Sequence, residues 1–444
     1  MTRSHMLRFC CAAAAFLSAA ESLRAVTLEV ALARTVERNP TIQEAKLRLE
    51  EAAGQRLVLR AIALPQARIL TLAGVQGGER SGEDEVRPFV FARGDFAQPL
   101  FNMAIPASYR RGRIEVLLAQ QRLNIAAVGQ LHSARVAFHT AAYNDAMRAL
   151  GESQRQRLES NFIAQNERYQ AGKADSSAVA TARLLEQELK PRIEAARRIS
   201  NGALLQLAQA MGENLSAALP RPEGTLQFAP VSLQAKTGAA IALKRRPDLQ
   251  LARLMVRAAG EDQRIIEAAY YPAVSGTLSG DYIPASEIRR GNEGTARRSD
   301  DIISSEMRFG GAFTWRVVDN GMVRGAAVRQ RAIREINELV LARLEAEVPR
   351  ELERIENNLR ALQARHDSLA KAVTVAEQTV ADVQSSLSEG LSSQLEYRTA
   401  ESSFLETKAG VLTVAFEQQM ALAAWDRATG RYFQFSDDTN AKLH

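Results

Sequence analysis

The sequence predicts an α+β fold, mostly α, built as a duplicated helix–β-hairpin–long helix–helix unit that contributes four strands per chain. Three observations predict it. Matching residues recur in order across the two halves of the chain. Two helical stretches of about 65 residues stand out, one in each half. Short segments of strict apolar–polar alternation precede both.

The N-terminus comes first. MTRSHMLR carries Arg3 and Arg8, an apolar run FCCAAAAFLSAA follows, and small residues come next, so residues 1–25 read as a secretory signal peptide. Cys10 and Cys11, the two cysteines of the chain, lie inside it. The processed chain then holds no disulfide and no cysteine–metal site. The charged residue and the aromatic before Cys10 do not fit a lipid-attachment site. No later stretch approaches the ~18 uncharged apolar residues of a membrane-crossing helix.

The repeat organises the rest. Pro40 pairs with Pro247, Ala45 with Ala252, Leu47 with Leu254 and Pro65 with Pro272, all at an offset of 207. Phe96 pairs with Phe313. Farther on, Gly172 pairs with Gly390, Ala182 with Ala400 and Gly212 with Gly430 at an offset of 218. The drift is absorbed by a longer loop near 281–306 than near 77–89. The expected organisation is a first repeat over 26–212, a linker over 213–232 marked by Pro220, Pro222, Gly224 and Pro230, a second repeat over 233–430, and a tail over 431–444.

Within each copy a helix of about 25 residues starts at Pro40 or Pro247, because proline suits a first helical turn. Two extended segments around a polar loop come next. The long helical stretches, near 105–170 and 322–388, would each span on the order of 100 Å. Val373, Ala376, Val380, Val383 and Leu387 form a heptad-type seam. Pro191 and Pro349 are expected to kink or break their helices. Turns at Gly172 and Gly390 lead into last helices that end at Gly212 and Gly430.

The strands carry the membrane argument. In 307–316, Met307, Phe309, Gly311, Phe313 and Trp315 share one face, opposite Arg308, Thr314 and Arg316. In 274–282, Val274, Leu278 and Tyr282 oppose Ser275, Thr277 and Asp281. Ten-residue strands with an apolar face and a charged face fit a tilted barrel strand around a watery lumen. Val274, Leu278, Phe309, Phe313 and Trp315 are the expected lipid-facing positions. Four strands cannot close a barrel, and open edges are not viable in lipid. Several chains must therefore share one barrel; two would supply eight strands and three would supply twelve.

In order along the chain, RNP (38–40) and RRPD (245–248), FAQPLFN (96–102) and FTWRVVDNG (313–321), and the turns YQAGKADSSAVATA (169–182) and LSEGLSSQLEYRTA (387–400) resemble the TolC family of outer-membrane efflux and export proteins. The resemblance implies a homotrimer in outer-membrane lipid, with a twelve-stranded β-barrel and a coiled-coil α-barrel in the periplasm. It implies a periplasmic adaptor (membrane fusion) protein at the helix tips around Gly172 and Gly390, and an inner-membrane transporter of RND, ABC or MFS type behind it. The function it implies is the exit duct of a tripartite efflux system, or the equivalent part of a type I protein secretion system. It also implies that loops 77–89 and 281–306 face outside the cell.

A duct needs shape and charge more than covalent chemistry. His132, His139, His366 and His444 show no metal-ligand spacing, and no GxSxG or phosphate loop occurs, so no enzyme, metal or cofactor is expected. The family places acidic rings near its tips, where Asp382 stands eight residues before Gly390. A solvated helix carboxylate is the competing reading, and Gln165, Asn166 and Glu167 are nearby alternatives. The equivalent of Asp382 in the first copy is Ala164. Two other classes compete with a duct. A structural periplasmic coiled-coil protein has no need of alternating strands. A nucleic-acid binder would rest on the net charge of +6 alone, and Arg and Glu interleave along the helices instead of clustering.

Overall fold

The structure, a computed structural model, describes residues 25–80, 83–213, 219–282 and 305–431. The expected signal peptide, apart from Ala25, lies outside these residues, as does the expected tail beyond Arg431. The elements run β1 (Ala25–Val26), α1 (Leu28–Arg38), α2 (Pro40–Ala61), β2 (Gln66–Arg80), β3 (Glu83–Phe101), α3 (Ala104–Gln170) and α4 (Ser176–Ala210). They continue as β4 (Arg221–Pro222), α5 (Ala235–Arg245), α6 (Pro247–Glu267), β5 (Ala273–Tyr282), β6 (Ser305–Thr314), α7 (Met322–Glu389) and α8 (Gln394–Thr429). Among the described residues no helix is long and apolar enough to cross a membrane.

Two compact units divide the chain, and each draws on both halves of the sequence. One comprises 1–47, 121–250 and 342–444; the other comprises 48–120 and 251–341.

The first unit is helical apart from the short parallel pair β1–β4, which gives the expected linker an ordered attachment. Its cores are strips along helix faces. Phe138, Leu204, Leu207 and Met211 form one; Leu158, Leu185, Ile193, Tyr397 and Phe404 form another. The Asn39–Pro40 break is a joint between α1 and α2. Asn39 Nδ2 donates to Ala210 O at 3.0 Å and to Gln130 Oε1 at 3.1 Å, while its Oδ1 accepts from Thr41 N at 3.0 Å. Gly212, with φ +71°, closes against this joint: a Cβ there would lie 2.7 Å from Arg38 O. At the matching place Arg246 donates to Asp248 Oδ2 at 2.7 Å and Glu351 Oε2 at 2.5 Å, and Gly430, also φ +71°, abuts Arg245.

The breaks expected at two prolines of this unit do not occur. Pro191 and Pro349 lie inside the unbroken helices α4 and α7. Proline removes one backbone hydrogen bond, but the turns on both sides are pinned: Leu189 and Ile193 are buried around the first, Val348 and Leu352 around the second. Moreover, α1 and α5 are full helices that the Pro40 and Pro247 signals hid. α1 is announced only by its cap, Thr27, whose hydroxyl accepts from Val30 N.

The second unit holds an antiparallel sheet of order β2-β3-β5-β6. The segments α3 and α6 contribute here are bound by Ile114 and Leu118 packed on Leu254 and Ala258, and by Arg110–Glu261 and Arg111–Asp262 ion pairs at 3.0 and 2.9 Å. The expected loop at 77–89 is corrected: β2 and β3 pair continuously to Arg80 opposite Glu83, leaving the connection to residues 81–82, outside the described set. Backbone pairing needs no apolar side chains, so a stretch of polar composition can still pair as strand. Of the expected loop 281–306, residues 281–282 and 305–306 belong to strands, and 283–304 lie outside the described residues.

Candidate functional site: a two-faced sheet and paired helix tips

The sheet register decides which side chains share a face. Phe309 stands opposite Leu278, and Leu278 opposite Phe96; Phe313 stands opposite Val274, and Val274 opposite Phe101. These side chains line one face across three strands. The face is open: Phe309 is 89% exposed and Phe313 65%, with Met307, Ile69 and Phe96 also exposed. Large apolar side chains held this far into solvent-accessible space on a regular sheet form an exposed apolar face. Trp315 is corrected: β6 ends at Thr314, so Trp315 lies just past the strand, where its indole N–H donates to Tyr270 O at 3.2 Å.

The opposite face carries charge. Arg93 Nε donates to Asp281 Oδ1 at 2.6 Å across β3–β5, and Arg308 pairs with Glu306 at 2.5 Å and approaches Asp281 at 3.8 Å. Adjacent opposite charges on one face tie the three strands laterally and suit an aqueous lining.

The helix tips are built alike. Gly172 (φ +71°) and Gly390 (φ +80°) follow α3 and α7 in left-handed backbone that glycine adopts without strain. At each, a six-residue turn bond closes the helix, from Lys173 N to Arg168 O at 2.8 Å and from Leu391 N to Ser386 O at 2.8 Å. Asp175 then caps α4. Ser393 caps α8 in a reciprocal capping box with Glu396, and the backbone N–H of Ser393 holds the Glu396 carboxyl below its usual range. The Arg168 guanidinium donates to Leu387 O, tying one tip to the other.

Behind the tips lies a buried polar group that the sequence reading missed. Glu401 is 1% exposed; Arg157 grips it with two hydrogen bonds, at 2.9 and 3.1 Å, and Tyr397 donates to it at 3.3 Å. Burial and this carboxylate push the Tyr397 phenol up. A Tyr and a Glu four residues apart just inside α8 were the available signal. Asp382 sits exposed on α7, its carboxylate accepting from Gln378 Nε2 at 2.9 Å. Among the described residues no group of three or more His, Cys, Asp or Glu side chains is placed to hold a metal.

The model of the family described as "Outer membrane efflux protein" matches residues 239–431. No curated protein sequence matches the chain. Among solved structures the fold is similar to the outer membrane protein VceC from Vibrio cholerae, with TM-score 0.75 and 18% identity over 91% of this chain and 96% of that one. It is similar to the CmeC outer membrane channel of Campylobacter jejuni, with TM-score 0.77 and 13% identity over 94% and 88%. The MtrE outer membrane channel of Neisseria gonorrhoeae gives TM-score 0.72 and 19% identity over 91% and 88%. The family match lies in the second half of the chain, and the fold likeness extends through the first. Residues 239–431 are thus similar to the outer membrane efflux proteins, and the chain shares its fold with solved outer-membrane channels over nine-tenths of its length.

Proposed function

We propose that three copies of this chain form the exit duct of a tripartite efflux system, receiving substrate from an inner-membrane transporter through a periplasmic adaptor. The observation that carries the reading is the two-faced sheet whose outer strands, β2 and β6, each pair on one side only among the described residues. Unpaired edges are not viable in lipid, so neighbouring copies must complete the ladder. Three copies give twelve strands, enough for an open lumen, whereas two give eight and a lumen filled by side chains. In this reading the chain is two copies of one unit, 26–212 and 233–430. Val274, Leu278, Phe309 and Phe313 meet lipid, with Trp315 at the strand end. The tips at Gly172 and Gly390 meet the adaptor, and Asp382 of each copy contributes to a constriction.

The test is the mass of the detergent-extracted oligomer together with its conductance in planar bilayers. A trimer that forms discrete ion-conducting channels is expected. A monomer recovered from the periplasm without detergent would refute the reading and favour a structural coiled-coil protein.

A further inference from the structure

Between the two tip turns lies a groove of about 330 Å³ whose walls include Arg168, Lys173, Asp175, Ser393 and Gln394. Its charged lining is two cations and one anion. The N-terminal ends of α4 and α8 open here, and so do the C-terminal ends of α3 and α7, so the helix dipoles offset one another. The guanidinium of Arg168 and the ammonium of Lys173 add two full charges. Asp175, the anion of the lining, is already engaged, accepting from Ser176 N at 3.1 Å and from the Ser177 hydroxyl at 3.4 Å.

A second observation points to a missing acceptor. Gln394 is 8% exposed, and its Oε1 accepts from Asn161 Nδ2 at 3.1 Å, but its Nε2 has no hydrogen-bond partner. A buried donor left unmade costs about 1–3 kcal/mol, and Gln394 is one of the residues lining the groove. Arg168 commits Nη1 to Leu387 O, and its Nη2 lies beside Gly390.

We infer that this groove receives a carboxylate side chain, Asp or Glu, from the periplasmic adaptor, bound by Arg168 and Lys173 and completed by the Gln394 amide. The inference rests on the docking of an adaptor at these tips and specifies its chemistry. The preference for a carboxylate over a neutral group follows from two cations, Arg168 and Lys173, against one capped anion, Asp175.

The test uses the full-length channel in detergent and its purified cognate adaptor. A carbodiimide that joins amine to carboxylate without a spacer should link Lys173 to an acidic residue of the adaptor. Lys173→Glu, an exposed change that leaves the fold intact, should weaken adaptor binding roughly tenfold or more at low salt and less at high salt. Gln394→Glu keeps the acceptor for Asn161 and replaces the spare donor with an oxygen; it should weaken binding further. Adaptor binding unchanged in Lys173→Glu, or a Lys173 link to another copy of this chain, overturns the inference while leaving adaptor docking standing. Wild-type channel that forms no adaptor complex at all overturns both.

Discussion

Acidification should loosen the helical unit at one residue. His139 on α3 is 9% exposed, stands edge-on to Phe138 with ring centroids 5.6 Å apart, and its Nε2 has no hydrogen-bond partner. One turn before it, Arg135 is paired with Asp426 of α8 at 2.5 Å. Burial first, and the Arg135 guanidinium second, hold the His139 imidazole down at about 4 from an ordinary value of 6.5. His132, on the same face, is lowered by burial, by Arg427 and by Arg135.

The sign follows from proton binding. Unfolded chains take up a proton near pH 6.5 that the folded site refuses until about 4. Folding stability is therefore intact above 6.5, falls as pH drops through that window, and levels off below 4. Between pH 7 and pH 5 the loss from His139 is about 2 kcal/mol per chain, with most of it appearing below pH 6. The assay is hydrogen exchange of the amides at 134–142, corrected for the intrinsic pH dependence of exchange, in wild type and in His139→Leu. Wild type should lose about 2 kcal/mol of local opening free energy over that range, on the order of a thirtyfold rise in the open population. His139→Leu should lose markedly less, the residue being the share of His132. Equal losses in the two proteins would refute the assignment.

Two further outcomes test the tips and the core behind them. Asp382→Ala should change channel conductance or cation selectivity in planar bilayers, because three symmetry-related carboxylates would concentrate cations; an unchanged channel removes Asp382 from the constriction. Arg157→Leu strands the Glu401 carboxylate, 1% exposed, with Tyr397 as its remaining hydrogen-bond donor, and should cost about 3–5 kcal/mol in denaturant unfolding. Removing both charges in Arg157→Leu with Glu401→Leu should recover much of that loss, whereas an additive double mutant would refute the coupling.

What the sequence made legible was whatever follows from period and punctuation. The two long helices were placed within a residue or two of 104–170 and 322–389 because their patterns run unbroken between Asn102 and Gly172 and between Gly321 and Gly390. The ten-residue strands were visible for the same reason. Alternation does not mark its own end, however, so Trp315 was read into a strand that stops at Thr314. Proline does not break the helix at Pro191 or Pro349, where buried neighbours hold the turns on both sides. The Arg157–Glu401–Tyr397 group could not be read because its partners are 244 residues apart, and periodicity says nothing about which helix faces which. The same limit hid the groove at the tips.

The proposed duplication gives the divergence between the copies a functional sense. The backbone solution is shared: Gly212 and Gly430 both take φ +71°, and they close on Arg38 and Arg245. The chemistry that locks the two joints differs, an amide network at Asn39 and a charged cluster at Arg246. The same holds at the tips. At the offset of 218 that relates Gly172 to Gly390, Arg168 and Lys173 correspond to Ser386 and Leu391, while Asp382 corresponds to Ala164. The cations therefore stand on the first-copy tip and the candidate pore acid near the second. Six nearly equivalent tips around a trimer would then present two alternating kinds of surface, one suited to an acidic partner and one carrying negative charge. If three copies dock an adaptor as proposed, that alternation predicts three pairs of unlike contacts instead of six identical ones.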